Sequence, residues 1–142
     1  MKFIDVLFCD DIRVEINNKV SLMGLYNDRI VFRTHDQTKI EWPAKMDLAI
    51  LVRLSISEKD MHPISFTFEC FSNEKSVVKI EGDADLASSN GSIFALILNT
   101  KNISLNSGNL GYSIKIFDKD KNTEYLSKID KNALTVLGRV VN

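Results

Sequence analysis

Two aspartates side by side, Asp10 and Asp11, are the first residues of the chain whose types could do chemistry. Paired carboxylates can act as general acid and base, provided that both reach one reacting atom. They fall within an alternating apolar run, and neighbouring residues of a strand point to opposite faces. The two can cooperate only where a bulge turns one of them over. Asp10 is the anomaly, because it shares the parity of Ile4, Val6, Phe8, Ile12, Val14 and Ile16. A carboxylate on a core-facing parity needs a cation or several N–H donors, or it takes up a proton. The hairpin pairing that keeps the apolar residues on one face sets Asp10 opposite Tyr26, with Arg29 in reach beyond the next turn. Two readings follow. In the first, a bulge over residues 9–11 satisfies Asp10 with backbone N–H groups and turns Phe3, Leu7 and Cys9 inward. In the second, Asp10, Asp11, Tyr26 and Arg29 form a ligand-binding site at the edge of the fold. Bulges are common in long strands, which favours the first.

Asp118-Lys119-Asp120-Lys121-Asn122 offers a different chemistry, since Asp118, Asp120 and Asn122 have the alternate oxygens that open a calcium loop. The remainder of that motif fails: Thr123 stands where glycine is needed, and Ile129 stands where the bidentate glutamate belongs. A calcium site shared by several loops, as in C2-type domains, would also recruit Asp83 and Asp85. Polar turn residues do the same work without metal. His35 and His62 lie in separate loops, away from the clustered spacing of a metal site. No G-x-S-x-G turn is present, nothing supports Cys9 with a histidine as a nucleophilic pair, and the six glycines form no phosphate cradle. No catalytic residue and no cofactor is assigned from these patterns.

The elements that position these residues are strands. Period-two alternation dominates, and no segment carries a helical stripe. In the opening hairpin a two-residue loop would mix the faces. A loop over residues 17–19 pairs Ile16 with Val20, Val14 with Leu22, Ile12 with Gly24 and Asp10 with Tyr26, keeping the apolar set together. It asks for positive φ near Asn18 or Lys19. Residues 29–33 read as a short strand and 34–45 as a crossover loop, with Trp42 plugging one end of the core. Leu48, Ile50, Val52, Leu54 and Ile56 then face inward, as do Ile64, Phe66, Phe68 and Cys70. Leu51, Met23 and Phe71 fall on outward parities and would make a patch if their strands lay together. Residues 73–75 form a hairpin loop, and 82–91 form a polar loop. Residues 93–98 are apolar on both parities, which predicts a central strand or an oligomer contact. Strands over 103–105, 111–117, 123–129 and 134–141 complete the chain, with a short helix admissible in 82–92 or 130–138. About nine to eleven strands linked by hairpins predict an all-β fold, an antiparallel two-sheet β-sandwich of immunoglobulin-like or C2-like kind, with a closed barrel as competitor.

Composition fits one domain over residues 1–142: 44% hydrophobic against 26% charged is ordinary for a globular chain. The net charge is −1, so no global field steers the molecule toward nucleic acid or anionic lipid. Residues 101–142 hold seven basic against four acidic side chains, a local +3 that fits a solvated face. No run approaches the roughly 18 apolar residues of a membrane span. No export signal is evident, so Cys9 and Cys70 are expected to be reduced and buried in a cytoplasmic protein.

The stretch Cys9-Asp10-Asp11-Ile12-Arg13-Val14-Glu15, followed by Lys19-Val20-Ser21-Leu22-Met23-Gly24-Leu25-Tyr26, resembles the opening of a family of small uncharacterised bacterial proteins. Gly111-Tyr112-Ser113-Ile114-Lys115-Ile116 is similar to a strand near that family's end. The resemblance implies a bacterial β-sandwich with no assigned activity, and it brings no site residues with it. Three functions remain in order: a non-enzymatic binding or assembly module that takes an unknown protein partner or self-associates as a homo-oligomer, a C2-like calcium-dependent lipid or ligand binder, and an enzyme built on Asp10 and Asp11.

Overall fold

The computed structural model describes residues 1–35, 39–89 and 91–141; 75% of the described residues are strand, and among them there is no helix of seven residues or more. In chain order the strands are β1 (Lys2–Val14), β2 (Val20–Tyr26), β3 (Arg29–His35), β4 (Ala44–Ser55), β5 (Pro63–Ser72), β6 (Lys75–Asp85), β7 (Ile93–Leu105), β8 (Gly108–Asp118) and β9 (Glu124–Val141). They form a four-stranded sheet in the order β2-β1-β4-β7 and a curled five-stranded sheet in the order β3-β9-β8-β5-β6. Alternation explains the core directly. Leu48, Ile50, Val52 and Leu54 of β4 meet Ile64, Phe66, Phe68 and Cys70 of β5, the inward sets expected of both strands. Tyr112 of β8 stacks on Phe68, with ring centroids 5.9 Å apart, and touches Phe8 of β1 at 5.7 Å. Trp42 is half-buried at the margin of this core and meets Phe32 edge-on at 5.7 Å.

The fold departs from the expected one in several places. The sheets are not wholly antiparallel: β3 runs parallel to β9, from Arg29 beside Thr135 to His35 beside Val141. A tight link forces neighbouring strands antiparallel, whereas β3 and β9 are remote in sequence and free of that constraint. Residues 123–129 and 134–141 are one strand, and the stretch 130–138 is not helical. The register shifts between Leu110 and Tyr112 of β8, where β9 bulges. Gly111 permits this, because a Cβ there would lie 2.7 Å from the carbonyl oxygens of Asp130 and Lys131. Likewise 103–105 is the end of β7 rather than a separate strand, and β6 runs on to Asp85 before a 3₁₀ turn at Leu86–Ser88. Residues 36–38 of the crossover and Asn90 of the 82–91 loop lie outside the described residues. Finally, β7 is not central. It pairs with β4 alone and forms one edge of its sheet.

The opening hairpin is shifted by two residues from the expected register: Val14 pairs with Val20, Ile12 with Leu22 and Phe8 with Tyr26. The loop spans residues 15–19, closed by the Glu15 N–H on the Lys19 carbonyl at 2.7 Å, with positive φ at Asn17 and extended backbone at Lys19. A shift of two preserves which residues share a face, so matching of apolar faces cannot distinguish the two registers.

That hairpin also bends. β1 pairs with β4 only as far as Cys9 opposite Ala49. Cys9 and Ile12, three residues apart, belong to one apolar cluster with Ala49 and Leu51, so the alternation breaks between them. Leu7, Leu22 and Ile97 pack against the same cluster. The hairpin beyond Asp10 is therefore an arm laid over the outer face of the four-stranded sheet. It leaves Leu51 only 2% exposed, although its parity points away from the main core. Leu51, Met23 and Phe71 do not make a common patch: Leu51 is covered, Met23 is exposed on β2, and Phe71 lies on the other sheet.

Candidate functional site

Asp10 sits at the bend of this arm. It faces Gly24, which adopts φ +67 and whose missing side chain leaves the space the Asp10 carboxylate fills. The Tyr26 hydroxyl donates a hydrogen bond to Asp10 Oδ1. Partial burial raises the tyrosine's pKa first, and the bond to the carboxylate raises it further. Asp10 is exposed, so the carboxylate on the inward parity is accommodated at the end of the core rather than inside it. Asp11 is exposed as well, but it is engaged elsewhere: its Oδ1 accepts from the Ile12 N–H at 3.0 Å, and its Oδ2 lies 3.5 Å from Arg13. Arg29 opens β3 and pairs with Asp28 at 3.2 Å, which raises its pKa. Of the four residues singled out, the structure brings Asp10 and Tyr26 together and gives Asp11 and Arg29 other partners. Shallow depressions of about 340 Å³ beside Asp10 and about 300 Å³ beside Tyr26 flank the bend.

The acidic turn after β8 uses its oxygens on its own backbone. Asp118 Oδ1 accepts from the Lys119 N–H at 2.7 Å, and Asp120 Oδ1 accepts from the Asn122 N–H at 3.0 Å. Lys121, at φ 63, completes the reversal. Asp83 accepts from the Ser65 hydroxyl at 2.6 Å, and Asp85 accepts from the Ala87 N–H at 3.0 Å as the cap of the 3₁₀ turn. Among the described residues no three His, Cys, Asp or Glu side chains are grouped to hold a metal ion. Cys9 and Cys70 are free and buried, and burial pushes the Cys70 thiol up to about 12.

The larger opportunity lies at the open edge of β7. The Ile56 N–H bonds the Ser92 carbonyl at 2.8 Å. Alternate residues of an antiparallel ladder turn toward the same neighbour. Phe94, Leu96 and Leu98, opposite Leu54, Val52 and Ile50, therefore commit their backbone groups to β4. The N–H and C=O groups of Ile93, Ala95, Ile97 and Asn99 point to the free edge, where the Ser89 hydroxyl donates to the Ile93 carbonyl at 3.4 Å. Beside that edge lies a depression of about 470 Å³ lined by Val14 and Val20 of the arm, Ser88, Ser89 and Gly91, and Ile93, Ala95 and Ile97 of β7. Val14 is 70% and Ile93 52% exposed, so the lining is open and mainly apolar, with Ser88 and Ser89 as its polar side.

Other free edges carry protection that β7 lacks. Arg29 and Arg33 punctuate β3; Lys75, Lys79, Glu81, Asp83 and Asp85 punctuate β6; and β2 is short and bends at Gly24. Charges and bends keep an edge from pairing with another chain. From Ile93 to Thr100 β7 has no charge. The residues of this face were legible in sequence only as the doubly apolar run 93–98. Nothing in the sequence brought Val14 and Val20 to it, because the bend at Asp10 does that. Compared with known proteins, the chain matches no family model and no curated protein.

Proposed function

We propose that the chain is a binding or assembly module that docks through the open edge of β7 and the apolar depression beside it. The carrying observation is the uncharged edge: Ala95, Ile97 and Asn99 offer backbone donors and acceptors, and Ile93 its N–H, next to exposed Val14, Val20 and Ile93. An extended segment laid there gains main-chain hydrogen bonds from the edge and apolar contact from the arm, as in recognition by strand addition. In architecture the reading is a β-sandwich of immunoglobulin-like or C2-like kind, supported by one core shared between two stacked sheets. It takes the family resemblance of the opening residues as a bacterial protein, and the two buried thiols suit a reducing cytoplasm.

Chemical cross-linking in the source cell, read by mass spectrometry, tests the reading. The expected contacts fall on residues 14–20 and on residues 88–101, where Lys19 and Lys101 provide reactive amines. Contacts concentrated at Lys75, Lys79 and Lys128 instead would place docking on the other sheet and end this assignment.

A further inference from the structure

The open edge has a property beyond availability: it is complementary to itself. We propose that a second copy of the chain closes it, β7 pairing antiparallel with β7 about a two-fold axis at Leu96. This rests on the docking reading above and names its occupant.

Three observations carry it. The first is direction. The backbone groups turned toward a partner belong to Ile93, Ala95, Ile97 and Asn99, so hydrogen-bonded pairs must form among these residues; the Ile93 carbonyl meanwhile accepts from the Ser89 hydroxyl at 3.4 Å, a long bond that the Asn99 N–H of a second copy would replace. An antiparallel register centred on Leu96 does this, setting Ile93 opposite Asn99 and Ala95 opposite Ile97. The second is facing. Residues directly opposite one another share a face. The same register sets Phe94 opposite Leu98 and Leu96 opposite Leu96. Those three are core-facing in each copy, so core meets core and the outer residues meet outer residues. Two four-stranded sheets then become one continuous sheet. The third is charge. A homodimer interface brings every residue near its own kind, so a single charge is met by a like charge. β7 is neutral from Ile93 to Thr100, and its only charged residue, Lys101, lies beyond the paired segment. A foreign peptide would need no such neutrality.

The edge ends where pairing should end. Thr100 turns its hydroxyl to the Leu48 backbone, accepting from the N–H at 3.2 Å and donating to the carbonyl at 2.9 Å. Asn102 follows at φ 52, its N–H held by Asp47 at 2.8 Å. The strand is therefore distorted beyond Asn99, which limits the pairing to residues 93–99.

Light scattering across a micromolar concentration series, with amide hydrogen exchange on the same samples, tests the proposal. The expected mass is twice the 16.1 kDa chain. Ala95→Pro removes an N–H that faces the edge and none that bonds β4, so it is expected to give a folded single chain. Leu25→Lys on β2, at the opposite edge, is expected to remain a dimer. Exchange gives a readout that needs no variant. The Ala95 and Ile97 amides are protected at high concentration and lose protection on dilution, while Phe94 and Leu96 stay protected throughout. A single chain at every concentration, or a dimer that survives Ala95→Pro with fast exchange at Ala95 and Ile97, overturns the proposal. Should Ala95→Pro fail to fold, the exchange pattern decides alone. A monomer whose Ala95 and Ile97 amides become protected by an added extended peptide sinks self-pairing yet leaves the docking reading intact. Free exchange at those amides in the cross-linked native complex sinks both.

Discussion

At the scale of single residues, several aspartates of this chain hold its bends and turns. Asp10 takes the Tyr26 hydroxyl at a bend, Asp118 and Asp120 bond the amides of their own turn, and Asp85 caps a 3₁₀ turn. Asp60 is the clearest case. Its Oδ2 accepts from the Ser57 N–H at 2.9 Å and the Ser57 hydroxyl at 3.1 Å, and lies 3.1 Å from the Met1 ammonium. The Ser57 N–H contributes most to holding this carboxyl below its usual range, with the Met1 ammonium and Ser57 hydroxyl adding to it against the opposing effect of burial. A group whose pKa is depressed on folding stabilises the fold above its unfolded value and loses that contribution as pH falls through the folded one. Asp60→Asn is therefore expected to lower Tm at neutral pH, the gap to the wild type narrowing below about pH 4. Melting curves recorded from neutral to strongly acidic buffer check this, and a gap independent of pH would contradict it. Asp10 shows what alternation can and cannot signal. A carboxylate on an apolar parity announces a special environment, yet chain order does not say whether that environment is a site or a cap.

At the scale of elements, the bend of the β1–β2 hairpin has the largest consequences. It places Ile12 and Leu22 over Leu51 and brings Val14 and Val20 alongside β7. Gly24 makes it possible on two counts: positive φ costs an L-residue roughly 1–2 kcal/mol, and a Cβ there would run into the Asp10 carboxylate. Gly24→Ala is expected to destabilise the protein by more than about 1 kcal/mol, while Gly91→Ala, whose Cβ would lie 4.0 Å from its nearest neighbour, the Ile93 backbone nitrogen, is expected to be near neutral. Urea midpoints of the two variants compare them under one condition. Equal midpoints would mean that the bend is not held by Gly24. None of this was legible from alternation, because the apolar pattern of residues 4–16 continues on one parity through the bend. The β-bulge expected at residues 9–11 is not there: the β1–β2 register runs from Cys9–Leu25 to Asp11–Met23 without a shift, and the Tyr26 hydroxyl rather than bulge N–H groups takes the Asp10 carboxylate. The doubly apolar run 93–98 pointed to a central strand or an oligomer contact, and the structure rules out the first. Its place at an edge, rather than in the middle, follows from strand order alone.

At the scale of the whole molecule, one core joins both sheets: Phe8, Ile50, Leu98, Phe68, Ile114 and Val136 all belong to it. Trp42 packs on Phe32 at its margin and reports on the same core. Single domains below about 150 residues usually unfold in one cooperative step. Fluorescence of Trp42, the only tryptophan, and far-ultraviolet circular dichroism are expected to trace coincident urea transitions. An earlier fluorescence transition would show that the segment around Trp42 opens on its own. Among the described residues no helix is long and apolar enough to cross a membrane.

The order of residues by itself determined that the chain would be strands, which side chains of β4 and β5 would face inward, and that the opening would be a hairpin. Each of these depends on neighbours one or two positions away, where the pleat imposes its period whatever the rest of the chain does. Tertiary structure alone decided the parallel pairing of β3 with β9, the exposure of the β7 edge and the fold of the arm over Leu51. Those outcomes pit contacts between residues tens of positions apart against one another. Each competing arrangement satisfies the same local alternation, so only the packing of the completed core chooses among them.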